Sequence, residues 1–280
     1  MKKIFLSTLF FLTIHSTFAL KPERAYGMTP DSMGIAYKQL QLKTSDGYQI
    51  NAWMYAPKTE TDKKAVLIMS GGDAGNMSYL IYQAYMLSQR GFRVITYDYR
   101  GFGKSSDFKI NEDYLYYDEF ETDLQTVINY ADSNLKDHRI VLYGFSMGTM
   151  ISGFAASKNN NVSMLIEDGL IIDPVKLAAR EKEEDRKAGK PFRDIILPPK
   201  AADYSSLLKN LKIPFLIFAG TKDQHTPYQD AVEAIGQQPN RELVVYDGGH
   251  GEAFIKLTAS KQTGDRYFDY ISVFADSYLK

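Results

Sequence analysis

Ile140-Val141-Leu142-Tyr143-Gly144-Phe145-Ser146-Met147-Gly148 is the stretch on which the fold turns. Its first four residues read as a strand buried on both faces, and Met150, Ile151, Phe154 and Ala155 just beyond it have helical spacing. A serine between two glycines at the joint of strand and helix predicts a sharp, strained turn, because small flanking residues keep the turn from clashing with the neighbouring strand and helix. Such a turn lifts the hydroxyl out at the carboxyl end of the sheet. It also sets the Met147 amide at a helix N-terminus, where it can donate to a developing oxyanion. A serine that merely capped the helix would require neither both glycines nor the strand before them.

Outward from this point the same pattern repeats. Val66 to Met69, Val94 to Tyr97, Ser163 to Ile166, Pro214 to Phe218 and Leu243 to Tyr246 are short apolar runs, while Phe120, Leu124, Val127, Ile128 and Ala131, then Tyr267, Ile271, Phe274 and Tyr278, recur with helical spacing. Alternating strand and helix predicts an α/β fold: a mostly parallel sheet with right-handed crossovers and helices on both faces. Leu40 to Thr44 and Tyr48 to Tyr55 alternate around Ser45-Asp46-Gly47, which predicts an antiparallel β-hairpin ahead of that sheet. Lys21 to Tyr37 reads as a short polar segment, an extended or loop-like lead-in. Residues 173–210, with a mixed-charge run from Arg180 to Lys187 and then Pro191, Pro198 and Pro199, read as an inserted helical cap with an irregular return; the charges suggest a solvated face, and a lid role is one reading.

A serine hydroxyl needs a base before it can act as a nucleophile. Of the four histidines, His15 lies in the N-terminal leader, and His138 precedes the strand into Ser146 and so belongs at the far, surface end of the sheet. His225 and His250 remain. His250, in Asp247-Gly248-Gly249-His250-Gly251, follows the last strand and is carried to the edge where Ser146 emerges, the edge at which open α/β sheets bind ligands. Asp223, reached from another strand through Gly220-Thr221-Lys222, is placed to hold the second imidazole nitrogen. Its other reading is a turn residue capping the helix that follows Pro227. Asp168, after the strand next to the nucleophile helix, is the alternative acid, and Asp247 would shape its own turn.

Ser70-Gly71-Gly72-Asp73-Ala74-Gly75-Asn76 follows a strand, and its glycines allow the backbone to come close to a substrate; Gly72, or alternatively Asp73, is the candidate for a second oxyanion-binding amide. A plain flexible loop is the competing reading. Gly103-Lys104-Ser105 ends like a phosphate-binding loop, but Asp98 stands where that loop needs glycine.

The 280 residues are 44% hydrophobic and 24% charged, enough for one sizeable core, and 33 basic against 34 acidic residues leave no field to recruit nucleic acid. Without cysteine there is no disulfide, no thiolate metal site, no cysteine nucleophile and no acceptor for a bacterial lipid anchor. Lys2 and Lys3, an apolar run from Ile4 to Phe11, and Ser16-Thr17-Phe18-Ala19 have the pattern of a secretory signal cut after Ala19, which predicts an exported, periplasmic or secreted protein. The alternative is an uncleaved anchor, but the run is shorter than the roughly 20 apolar residues that span a bilayer.

Gly144-Phe145-Ser146-Met147-Gly148, Asp98-Tyr99-Arg100-Gly101-Phe102-Gly103-Lys104-Ser105, Gly220-Thr221-Lys222-Asp223 and Gly249-His250 together resemble the landmark motifs of α/β-hydrolases, in their usual order. Within that superfamily the chain, from residue 20 onward, is most similar to the bacterial serine aminopeptidase-like, dienelactone hydrolase-like and acyl-esterase branch, which shares the Thr44-Ser45-Asp46-Gly47 hairpin. The resemblance implies a serine hydrolase that takes a small-molecule or lipid-like acyl substrate, with Ser146, Asp223 and His250 as its catalytic set, Met147 and Gly72 as backbone oxyanion donors, Asp98 and Arg100 structural, and no metal or organic cofactor. A carboxylic ester is the expected substrate, with a thioester or peptide as the alternative. The chain departs from many relatives in carrying Ser70-Gly71-Gly72 where they carry His-Gly, which bears on the oxyanion loop. A protein of the same fold that only binds a ligand is the rival from another class, and a nucleotide-dependent enzyme would rest on Gly103-Lys104-Ser105 alone.

Overall fold

The computed structural model describes residues 20–189, 194–260 and 262–279; the expected signal, residues 1–19, lies outside them. The chain enters through a two-residue strand, β1 (Lys21–Pro22), and then forms the hairpin β2 (Lys38–Lys43) and β3 (Gln49–Tyr55), paired antiparallel with Leu42 opposite Ile50. β4 (Ala65–Ser70) follows, then the short β5 (Ala74–Gly75), α1 (Ile81–Ser88) and β6 (Arg93–Tyr97). Next come α2 (Tyr117–Asn134), β7 (Arg139–Phe145), α3 (Met147–Lys158) and β8 (Val162–Asp168). The expected cap region holds α4 (Pro174–Lys187) and α5 (Tyr204–Asn210); β9 (Phe215–Gly220), α6 (Tyr228–Ile235), β10 (Arg241–Tyr246), α7 (Ala253–Lys256) and α8 (Asp265–Tyr278) complete the chain.

Among the described residues the main sheet has eight strands in the order β10-β9-β8-β7-β4-β6-β3-β2, parallel from β10 to β6 and antiparallel from β6 through β3 to β2. The apolar runs are continuous because each strand face has its own cover. From β4, Val66 and Ile68 pack with Phe120, Leu124, Ile151 and Phe154 of α2 and α3, while Leu67 and Met69 pack with Ala84, Leu87, Phe268 and Ile271 of α1 and α8. Each such side chain contributes about 1.5–3 kcal/mol by leaving water, so the central strands are the rigid base on which the loops at their carboxyl ends are held.

The lead-in begins extended and is packed rather than free. Leu20 is fully buried, and β1 pairs in parallel with β5. In the insertion Lys182, Arg186 and Lys187 of the mixed-charge run face solvent, and Asp173 caps α4 by accepting from the amides of Val175 and Lys176, both at 3.0 Å. From that helix Arg180 reaches Asp230 at 2.8 Å, and Glu181 is buried against the His225 ring. In the irregular return, Ile196 bridges to Tyr114, and the Tyr204 hydroxyl of α5 donates to the Thr149 carbonyl of α3 at 2.9 Å.

Candidate active site

Between β7 and α3, Ser146 holds φ 51° and ψ −119°, a conformation that costs a non-glycine residue on the order of 1–3 kcal/mol. The two glycines beside it are required by crowding. A Cβ at Gly144 would lie 2.3 Å from a Glu167 carboxylate oxygen, and one at Gly148 would lie 2.3 Å from the Ser70 carbonyl oxygen. The turn is fixed by the Ser146 amide, which donates to the Asp168 carbonyl at 3.0 Å, and by the Thr149 amide and hydroxyl, which donate to the Ser146 carbonyl at 2.9 and 2.7 Å.

The loops after β9 and β10 are stitched to each other: the Thr221 amide donates to the Tyr246 carbonyl at 3.0 Å, and the Lys222 amide to the Gly248 carbonyl at 2.9 Å. They bring Asp223 and His250 together. His250 Nδ1 stands 2.8 Å from Asp223 Oδ2, and His250 Nε2 stands 2.9 Å from Ser146 Oγ. An ionised carboxylate can only accept, so Nδ1 carries the proton and Nε2 of the neutral ring is left to accept from the serine hydroxyl. The ring is lightly exposed, at 20%, whereas the Asp223 side chain is 1% exposed.

Asp223 is fully satisfied. Its Oδ1 accepts from the amides of His225 and Thr226 at 2.9 and 2.8 Å, and its Oδ2 also accepts from the Thr226 hydroxyl at 2.6 Å. Burial pushes this carboxyl up, but His250 and the Thr226 donors outweigh it and hold the group below its ordinary range. Thr226 Oγ1 is also 3.2 Å from His250 Nδ1. On the imidazole face lies backbone: a Cβ built on Gly169 would come within 2.7 Å of the ring.

Met147 opens α3, where helical amides have no carbonyl partner of their own. Gly72 lies beside the turn, since a Cβ there would sit 3.7 Å from Ser146 Cβ and 3.4 Å from the Phe145 ring. Asp73 follows it, its carboxyl pushed upward by burial, with His250 among the charges that draw it back.

The remaining candidates separate clearly. Asp168 sits under the same edge, its Oδ2 accepting from the Tyr267 hydroxyl at 3.2 Å and its buried Oδ1 without a hydrogen bond. Asp247 pairs with Lys222 at 2.7 Å on the surface. His138, expected at the surface, is half-buried with neither ring nitrogen bonded. His225 places its ring 5.6 Å from that of His250 while Nδ1 bonds Glu181, which raises its affinity for a proton. Asp98 accepts from the Met77 amide at 2.8 Å and fills the space beside Gly103, while Lys104 lies over the Tyr26 ring, so this loop is packed on its own carboxylate. Arg100 is sandwiched by Asp123 at 2.7 Å and Asp46 of the hairpin turn at 2.6 Å.

Sequence reasoning missed Thr226, Gly169 and the Glu181–His225 contact. For Thr226 a signal existed, since a threonine three residues after an aspartate at a helix-leading turn is a natural donor to it. Gly169 announced itself only as a glycine after a strand.

The α/β hydrolase fold family model matches residues 64–193. The chain is similar to the Escherichia coli (strain K12) protein YfhR, 25% identical over 263 residues, covering 92% of this chain and 85% of the relative. It is similar as well to the Saccharomyces cerevisiae membrane protein YNL320W, 27% identical over 260 residues, covering 88% and 82%. Among solved structures, the Pyrococcus furiosus esterase Pf2001 superposes with a TM-score of 0.71 at 20% identity, covering 93% of this chain and 100% of that one. No described helix is long and apolar enough to cross a membrane.

Proposed function

We propose that this chain, which belongs to the α/β-hydrolase superfamily, is a serine hydrolase that cleaves a carboxylic ester by way of an acyl-serine. The observation that carries this reading is the relay from Asp223 Oδ2 through His250 to Ser146 Oγ at 2.8 and 2.9 Å. Ser146 Oγ attacks the carbonyl carbon as His250 Nε2 takes its proton, and Asp223 stabilises the imidazolium that results. The carbonyl oxygen becomes an oxyanion held by the amides of Met147 and Gly72. The tetrahedral species then expels the alkoxide, which takes the proton from His250. Water, deprotonated by the same nitrogen, attacks the acyl carbon; the Ser146 oxygen leaves with that proton and the carboxylic acid is released. An ester is favoured over an amide because alkoxide is the easier leaving group.

The test pairs the wild type with Ser146→Ala. A fluorophosphonate probe should label only the wild type, and short-chain aryl esters should be hydrolysed only by it. Equal labelling of both would remove this serine from the chemistry. Absence of both labelling and turnover in the wild type would favour a hydrolase-fold protein that only binds its ligand.

A further inference from the structure

The loop that offers the Gly72 amide is poorly equipped to hold itself still. Gly71-Gly72-Asp73-Ala74-Gly75 contains three glycines, each of which leaves the free loop a wide range of backbone conformations. Yet an oxyanion donor is useful only when held within about 0.5 Å of its working position. At its start the loop is fixed by the Tyr99 hydroxyl, which donates to the Gly71 carbonyl at 3.1 Å. The rest is fixed by the entering chain. The Lys21 amide donates to the Asp73 carbonyl and the Glu23 amide to the Gly75 carbonyl, both at 2.9 Å. In return the Asn76 side chain donates to the carbonyls of Glu23 and Ala25 at 3.0 and 2.8 Å. The strap is itself anchored at both ends: Leu20 is fully buried in the hydrophobic core, its amide donating to the Glu112 carbonyl at 3.3 Å, and Tyr26 bonds the Asp98 carboxylate.

We infer that residues 20–26 are a positioning strap for the oxyanion loop, so that the rate of hydrolysis depends on a segment none of whose groups touches substrate. The inference rests on the reading of Gly72 as an oxyanion donor. Because the contacts to Asp73 and Gly75 are made by backbone amides, and the side chains of Lys21 and Glu23 are exposed, the strap works through groups that alanine retains and proline lacks.

The experiment compares wild type, a Lys21→Ala/Glu23→Ala pair and a Lys21→Pro/Glu23→Pro pair, with Glu23→Pro alone in reserve if the proline pair does not fold. Hydrogen exchange of the 71–77 amides reads the strap directly, independent of any activity. Hydrolysis of an aryl ester, well below each variant's Tm, reads its coupling to chemistry. The proline pair should exchange faster over 71–77 and lose about tenfold or more in kcat, with KM changed by less than about threefold, a smaller loss than deletion of a whole oxyanion donor. Its affinity for a trifluoromethyl ketone, whose adduct carries an oxyanion, should fall in step, and the alanine pair should match wild type in every readout. Unchanged exchange overturns the strap, and faster exchange with undiminished kcat overturns its role in positioning. A wild type without turnover or probe labelling instead overturns the hydrolase reading, and the exchange result still decides whether the strap holds the loop.

Discussion

The carboxyl ends of β8 and β9 each deliver an aspartate beneath the same imidazole, and the two live in opposite electrostatic conditions. Asp223 collects two amides, a hydroxyl and the imidazole Nδ1. Asp168 has one tyrosine hydroxyl and a buried oxygen with no hydrogen bond. The difference comes from the backbone around them. Asp168 is still inside the ladder, aligned with Phe145 on β7 and Phe218 on β9, so the strand pairing claims the local peptide groups. Asp223 stands beyond the end of its strand, where the turn into α6 leaves the amides of residues 225 and 226 free to point at it. Burial consequently pushes Asp168 up to about 7, with His250 and Tyr267 drawing it down only in part, while Asp223 is held low. On the proposed mechanism, the acid that must stay charged is therefore marked out by the donors its turn supplies, rather than by which strand end lies nearer the histidine.

Exchanging the two carboxyls one at a time is the most direct way to break this comparison. Asp223→Asn should lower kcat on the order of 10³- to 10⁴-fold, since the amide cannot hold the productive tautomer. A loss of that size from Asp168→Asn, with Asp223→Asn nearly active, would reverse the assignment. Thr226→Val removes one donor from Asp223 and leaves two amides and the imidazole; kcat should drop about tenfold, from the loss of one hydrogen bond to a charged group worth about 1.5 kcal/mol. No change would mean that the amides alone suffice. The smallest effect on turnover and the clearest on stability is expected from Asp168→Asn. Its carboxyl, ordinarily near 3.8, titrates near 7 in the folded chain, so the unfolded chain ionises first as pH rises. The wild type thus loses stability between about pH 4 and pH 7, which the asparagine variant does not. The Tm difference, variant minus wild type, should grow across that range, and a constant difference would show that Asp168 does not titrate there.

Much of this architecture was open to reading from the chain alone. The runs at 66–69, 94–97, 140–143 and 163–166 mark central strands because covering helices on both sides demand unbroken apolar sequence, and positions 146, 223 and 250 follow the runs at 140–143, 214–218 and 243–246. What could not be read is set by contacts that leave no periodic trace. Two residues of β1 are too few to alternate, and Lys21 and Glu23 face solvent, so the sequence reads as an extended or loop-like lead-in and carries no sign of the pairing with β5. The run from Arg180 to Lys187 reads as a solvated helix face, yet Glu181 is buried against His225, a pairing that only tertiary packing creates. Thr226 and Gly169 matter through the position of a ring that arrives from β10, far away in sequence.

Among the described residues β10 stands at the rim of the sheet with one neighbour, β9, and Val245 on it is 46% exposed. His250 thus follows a strand at one rim of the sheet, while Ser146 rises from the middle of it. On the proposed mechanism, local opening of that one rim strand would part the imidazole from the hydroxyl and silence the molecule while most of its framework still stood. Robustness of the scaffold and endurance of the proposed chemistry would then be separate quantities.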